Sequence, residues 1–274
     1  MILFPNAKIN LGLRITERRP DGYHNLQTVM VPTAWTDILE IVPAKGAQTT
    51  LTTYGREVDC PPEKNLVMKA YRAVARECPT LPAADIYLEK IIPDGAGLGG
   101  GSADAAFTIL GLNQVFELHL TQSKMAEIAA TVGADCSFFI YNRPAYCTGI
   151  GTDISLDVSP RLEGLSMAIA KPRGQSVSTA QAYAGITPKI ADESPRDIVA
   201  IEPTQWRHKL VNDFEATVGK IIPRIGELIA HMYDSGAIYA AMSGSGSAVF
   251  GLFSTDKMAQ AAVKGLDDCD IFVG

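Results

Sequence analysis

The spacing of apolar and polar positions changes several times along the chain, and each change marks an element. From Leu3 to Ile15 the pattern predicts a strand, an Asn-rich bend and a second strand. Arg18-Arg19-Pro20-Asp21-Gly22 is a turn by composition, with Asp-Gly its strongest piece. Residues 27–42 are extended and partly alternating, which fits a meander. Residues 63–78 put Leu66, Ala70, Ala73 and Val74 on one side, predicting an amphipathic helix. Residues 86–92 alternate as a half-buried strand. After a glycine-rich stretch, Ala103, Ala106, Phe107 and Leu110 recur at i, i+3, i+4 and i+7, one face of a helix starting at Ser102. A further helix is expected over 123–132, ended by Gly133. The second half predicts a strand at 165–170, a helix opening within 177–184 and a largely helical run over 207–231. Within that run Pro223 must start, kink or break a helix. Strands at 238–242 and 248–253 and a last helix after Ser254 complete the pattern. Strands and helices mix without regular βαβα alternation, which favours an α+β layered fold over a doubly wound sheet. A boundary at Ser159-Pro160 divides the chain into domains 1–158 and 159–274.

Composition narrows the classes. The 274 residues are 47% hydrophobic and 20% charged, as in a globular protein large enough for one or two domains. No run approaches the ~18 apolar residues of a membrane span, and the N-terminus lacks the basic start of a signal peptide. The expected setting is cytoplasmic, with no membrane partner. Five dispersed cysteines without a C-x-x-C pair suit reduced thiols, and neither they nor the four scattered histidines make a metal site. A net charge of −6 argues against a nucleic-acid footprint. It also means that any attraction for phosphates must be local.

Pro93-Asp94-Gly95-Ala96-Gly97-Leu98-Gly99-Gly100-Gly101-Ser102-Ala103 is the richest candidate. It places five glycines in the seven positions 95–101, between an alternating strand and a helix. Glycines let the backbone approach a ligand closely and adopt positive φ. The unpaired N–H groups of the following helix make an anion site. Three other readings compete with this one. A flexible linker is seldom wedged between strand and helix. Gly95-x-Gly97-x-x-Gly100 satisfies the dinucleotide fingerprint literally, but the preceding strand carries Glu89, Lys90 and then Pro93, unlike a buried parallel strand. A Walker A loop requires Lys-Ser/Thr where Gly101-Ser102 stands. The loop therefore has no cation of its own, and a triphosphate would need Mg²⁺ and a lysine from elsewhere.

Four segments together resemble the GHMP kinases. Pro5-Asn6-Ala7-Lys8-Ile9-Asn10-Leu11-Gly12-Leu13 is similar to their N-terminal signature, and the glycine loop to their P-x-x-x-G-L-G-S-S-A nucleotide motif. Gly133-Ala134-Asp135 resembles the segment with their catalytic aspartate, and Met242-Ser243-Gly244-Ser245-Gly246-Ser247 their C-terminal glycine loop. A fifth segment, Arg18-Arg19-Pro20-Asp21-Gly22-Tyr23-His24, looks like the R-R-x-D-G-Y-H of the subgroup that phosphorylates a cytidylyl-linked methylerythritol in non-mevalonate isoprenoid synthesis. The resemblance implies a two-domain α+β architecture, mixed sheets with packed helices and an active site in the cleft between domains. It also implies ATP with Mg²⁺, a small-molecule cytidylyl acceptor, and a monomer or weak homodimer. The chain departs from the pattern at Ala103, where a second serine is usual, at Asp94, which replaces a common methionine, and at Asn6. The alternatives are another GHMP kinase (for homoserine, mevalonate or a sugar) or a nucleotide-binding protein without catalysis.

Residue roles follow from that resemblance. Lys8 and Asp135 would be catalytic: Asp135 accepts the hydroxyl proton and Lys8 offsets charge on the phosphoryl group. Residues 93–103 and Asn65 would bind ATP, though Asn65 reads equally as a helix N-cap. Asn10, Tyr23, His24, Tyr183, Ser243 and Gly244 would bind substrate. Tyr23 and Tyr183 offer stacking faces to a base and His24 a hydrogen-bonding edge. Without the resemblance, Tyr23 reads as a turn tyrosine and residues 243–247 as a tight hairpin. Asn212-Asp213-Phe214-Glu215 reads as structural, and the direction of Asp104, one turn into the helix, stays open.

Overall fold

Alternation in the first ninety residues produces long strands. The computed structural model describes residues 1–58 and 60–274. Its strands begin with β1 (Ile2–Leu3), β2 (Asn6–Arg18), β3 (His24–Thr36), β4 (Ile38–Pro43) and β5 (Thr50–Gly55). Then come helix α1 (Leu66–Glu77), strand β6 (Ala84–Lys90), and helices α2 (Gly100–Val115), α3 (Gln122–Ala130) and α4 (Cys136–Tyr141). The chain continues with β7 (Ala145–Thr148), β8 (Asp153–Ser155), β9 (Ser166–Pro172), α5 (Thr179–Ala184), α6 (Pro195–Ile198), α7 (Glu215–Ile221) and α8 (Arg224–Asp234). It ends with β10 (Tyr239–Met242), β11 (Val249–Phe253), α9 (Asp256–Val263) and β12 (Cys269–Val273). Among the described residues no helix is long and apolar enough to cross a membrane.

The described chain forms two compact units that interleave in sequence. One comprises Met1–Ala7, Ala34–Asp94 and Gly99–Arg143; the other Lys8–Thr33, Gly95–Leu98 and Pro144–Gly274. In the first unit the sheet order is β1-β4-β6-β5. It is mixed: β4 pairs antiparallel to β6, with Leu39 opposite Leu88 and Ile41 opposite Ile86, while β5 runs parallel to β6. Those four side chains are buried, so the period-2 pattern gives the sheet one apolar face. The α1 face of Val67, Ala70, Ala73 and Val74 is buried too. In the second unit a sheet ordered β10-β11-β9-β12 is antiparallel throughout. Its apolar side joins a core that includes Phe214 and Val218, with Leu228 and Met232 of α8 and Ala259 and Ala262 of α9. The remaining sheet has the order β2-β3-β7-β8.

Several expectations need correction. The helix of residues 63–78 begins only at Leu66. Residues before it form a short 3-10 turn, and Asn65 ends that turn and caps the helix by accepting from the Val67 N–H at 2.9 Å. The helix expected from Ser102 starts two residues earlier, at Gly100, because Gly99 at φ 71° is its N-cap. The helical run of 207–231 is really α7 and α8. His208 at φ 69° cannot continue a right-handed helix, and Pro223 is the N-cap of α8. The bend near the N-terminus falls at Phe4-Pro5, whereas Asn6 and Asn10 lie inside β2.

Candidate active site

The loop and the strand beside it are held by backbone bonds. In the second unit the Lys8 N–H donates to the Leu98 carbonyl at 2.9 Å. This places a lysine-bearing strand against a loop that has no lysine. Lys8 is only 3% exposed, and its ammonium donates to Asn10 Oδ1. Asn10 Nδ2 donates onward to Thr28 Oγ1 at 3.0 Å, and the Thr28 hydroxyl donates to the Gly12 carbonyl at 2.6 Å. Each donor in this relay has its acceptor fixed by backbone or by the next side chain. The amide of Asn10 is thus oriented with its oxygen toward Lys8. Thr28 carries no motif, and sequence reading missed it.

The two glycine-rich segments meet in the same unit. Ala248 N–H donates to the Ala96 carbonyl at 3.0 Å, and the Ser243 hydroxyl to the Gly97 carbonyl at 2.9 Å. Gly97 has φ 72°, and a Cβ built on it would lie 2.0 Å from the Ser243 carbonyl oxygen. No other residue type fits there without moving backbone. Asn212, read as structural, fixes this junction. Its Nδ2 donates to the carbonyls of Met242 and Gly244, both at 2.8 Å, while its Oδ1 accepts from the Phe214 N–H at 3.0 Å. Glu215 accepts the Met242 N–H at 2.8 Å. Burial pushes its carboxyl up to about 7, partly offset by that bond. Ser243 and Gly244 therefore occupy a braced backbone turn.

In the first unit Gly99, Gly100, Gly101 and Ser102 run into the first turn of α2. That helix has no side-chain cap, so the N–H groups at its head are those available to an anion. Ala103 lies beneath them, fully buried, with its N–H bonded to the Gly99 carbonyl. Leu66 of α1 packs against Gly101, which brings Asn65 beside the loop. Asp135 is the half-buried residue at the head of α4, and its side chain makes no capping bond to that helix. The next residue, Cys136, is hydrogen-bonded to Ser102; burial pushes its thiol up to about 12. Asp104 turns inward, and its carboxylate meets Lys90 at 2.8 Å.

The aromatic residues gather in the second unit. His24 stacks on Tyr183 with ring centroids 4.7 Å apart and planes 21° from parallel, and Tyr183 meets the edge of Phe214 at 4.8 Å. Tyr23, one residue from His24, is 62% exposed, and its N–H is fixed by Asp21 Oδ1 at 3.1 Å. The capping box of α5, between Ser178 and Gln181, fixes the short helix that presents Tyr183.

Models of the GHMP kinases N terminal domain and the GHMP kinases C terminal match residues 65–143 and 200–268. The 4-diphosphocytidyl-2-C-methyl-D-erythritol kinase of Bacteroides fragilis is 50% identical over 260 residues, covering 94% of this chain and 93% of its own. A crystal structure of 4-(cytidine 5'-diphospho)-2C-methyl-D-erythritol kinase superimposes with a TM-score of 0.81 at 30% identity, covering 100% of this chain and 98% of its own. The homoserine kinase of Cytophaga hutchinsonii, at 18% identity and a TM-score of 0.73, covers 98% of this chain and 94% of its own and shares the fold. The chain belongs to the GHMP kinase family and is an ATP-dependent small-molecule kinase.

Proposed function

We propose that the chain transfers the γ-phosphoryl group of ATP to the 2-hydroxyl of 4-diphosphocytidyl-2-C-methyl-D-erythritol, in non-mevalonate isoprenoid precursor synthesis. The observation that carries the reading is the stacked His24–Tyr183 pair beside an exposed Tyr23. The exposed Tyr23 ring is a face on which a base in the acceptor can stack, at roughly 1–3 kcal/mol, and His24 of the His24–Tyr183 stack lies next to it in sequence. Homoserine, mevalonate and simple sugars have no base to stack.

In this reading the loop of residues 93–103 wraps the nucleotide phosphates, and Asn65 lies on the adenine side. Asn10, Ser243 and Gly244 bind the phosphate and erythritol end of the acceptor. Asp135 orients the 2-hydroxyl and takes its proton late in a loose transition state, so a strong base is not required. Lys8, aimed by Asn10, offsets the charge that develops on the phosphoryl group. Among the described residues no group of three or more His, Cys, Asp or Glu could cage a metal. A Mg²⁺ ion would be carried mainly by the nucleotide phosphates, with one or two protein ligands. Asp104 is held against Lys90, and Ser102 at the head of α2 and Asp135 at the head of α4 would be the side chains that meet the ion. Bound Mg²⁺ would supply charge neutralisation between the β- and γ-phosphates. The proposed domains, 1–158 and 159–274, are a division of the sequence, and the compact units interleave across it. A cytoplasmic monomer or weak homodimer completes the proposal.

A coupled assay of ADP release across the cytidylyl acceptor, mevalonate, homoserine and galactose tests it. Turnover with the cytidylyl acceptor alone is expected. Turnover only with an acceptor lacking a base would overturn the substrate assignment and leave the family untouched.

A further inference from the structure

Period-2 alternation puts Ala84, Ile86, Leu88 and Lys90 on the buried face of β6. A lysine in that register must be paired, because an unpaired ammonium in a core is prohibitive. Its partners come from two other elements. Lys90 Nζ lies 2.5 Å from Asp37 Oδ2 and 2.8 Å from Asp104 Oδ2. All three residues are at most 3% exposed. The other oxygen of Asp37 accepts the backbone N–H groups of Ile91 and Ile92 at 2.5 and 2.8 Å, directly before the glycine loop. Asp104 sits in the first turns of α2, directly after it. The ammonium is also 3.4 Å from a Cβ built on Gly100, the first residue of that helix.

We infer that Asp37, Lys90 and Asp104 are positioning residues for the phosphate-binding loop, tying the strand end that enters it to the helix that leaves it. The inference rests on the reading that this loop binds ATP. Charge is not how the triad acts. One lysine and two carboxylates sum to −1, which would repel a triphosphate. Burial lifts Asp104 to about 8, and Lys90 only partly opposes this. Asp37 accepts from three donors, whereas Asp104 has Lys90 and a buried Oδ1 without a partner. Burial therefore makes Asp104 harder to ionise, which moves the triad toward neutrality. A buried cross-link of this kind supplies geometry rather than attraction.

Asn and Leu are close in size to Asp, so two variants at one position isolate the bond. Asp104→Asn keeps an oxygen for Lys90, and Asp104→Leu removes it. ATP affinity by calorimetry, KM for each substrate and Tm are measured for both. The expected result is an ATP Kd weaker by roughly 10-fold or more in Asp104→Leu, since small misplacements at such loops are expensive. Asp104→Asn recovers most of the affinity, and KM for the acceptor stays within about twofold in both. If Asp104→Leu does not fold, the triple variant Asp37→Asn/Lys90→Met/Asp104→Leu, which leaves no buried charge and keeps an oxygen for the Ile91 and Ile92 N–H groups, takes its place with the same expectation. Wild-type ATP affinity in a folded Leu variant, or an equal rise in acceptor KM, overturns the inference. A wild-type protein that binds ATP but leaves the acceptor unphosphorylated overturns the substrate reading and not this one.

Discussion

Replacing Gly97 by alanine combines two separable penalties. The backbone there has φ 72°, a conformation that disfavours an L-residue by roughly 1–2 kcal/mol. The added Cβ would also lie 2.0 Å from the Ser243 carbonyl oxygen, where ordinary contact begins at 3.4 Å. The oxygen cannot swing away cheaply. Its neighbours Met242 and Gly244 are held by Asn212, and the Ser243 hydroxyl is itself bonded to Gly97. The loop must therefore retreat by about 1 Å or more, and a displacement of that size at a reacting group lowers rate by about 10²-fold. Gly164→Ala is the control. Its φ is 75° with nothing within 4 Å of the new Cβ, so it has the strain without the clash. Steady-state kinetics and thermal unfolding of both variants should show similar strain. Only Gly97→Ala should lose about two orders of magnitude in kcat/KM for ATP, with a further ~1–3 kcal/mol of stability from overpacking. Wild-type kcat/KM for ATP in Gly97→Ala, or an equal loss in Gly164→Ala, would refute the reasoning.

Three further outcomes are expected. Asp135→Asn should lower kcat by about 10²–10⁴ with an unchanged Tm, and a folded variant with wild-type turnover contradicts its role as proton acceptor. Tyr23→Ala should raise KM for the cytidylyl acceptor by the equivalent of roughly 1–3 kcal/mol while KM for ATP stays put; equal effects on both would make Tyr23 structural. Glu215, lifted to about 7 by burial, has a folded pKa above its unfolded value. Its contribution favours the fold at low pH and is lost as pH rises from about 4.3 through the folded value. Glu215→Gln should therefore flatten the fall of Tm with pH across that window, and an unchanged slope would contradict the assignment.

Local signals were legible where a short segment decides its own structure. The glycines of residues 95–101, the amphipathic face of α1 and the alternation of β4 and β6 could all be read directly. Lys8, Asp135, Tyr23 and His24 stood out only through the resemblance, since a lone lysine or turn tyrosine has no signature. What stayed hidden was set by partners distant in sequence. Residues 207–214 have helical spacing, but Asn212 spends its side chain on Met242, Gly244 and the Phe214 N–H, and His208 takes positive φ. Asp104 gave no direction because its partner Lys90 lies 14 residues away and Lys90's other partner, Asp37, 53 residues away. In the sequence Lys90 counts only, with Glu89 and Pro93, as a mark against a buried parallel strand. Its place on the core face follows from the register of β6, which the run of Ala84, Ile86 and Leu88 already contained.

The most direct test of the central claim is the identity of the product. Purified protein, ATP, Mg²⁺ and 4-diphosphocytidyl-2-C-methyl-D-erythritol are followed by phosphorus NMR. The account predicts one new phosphomonoester resonance on the 2-position of the erythritol, growing in step with ADP and absent with Asp135→Asn. ADP formed without that resonance, or the resonance appearing on mevalonate or homoserine instead, would contradict it.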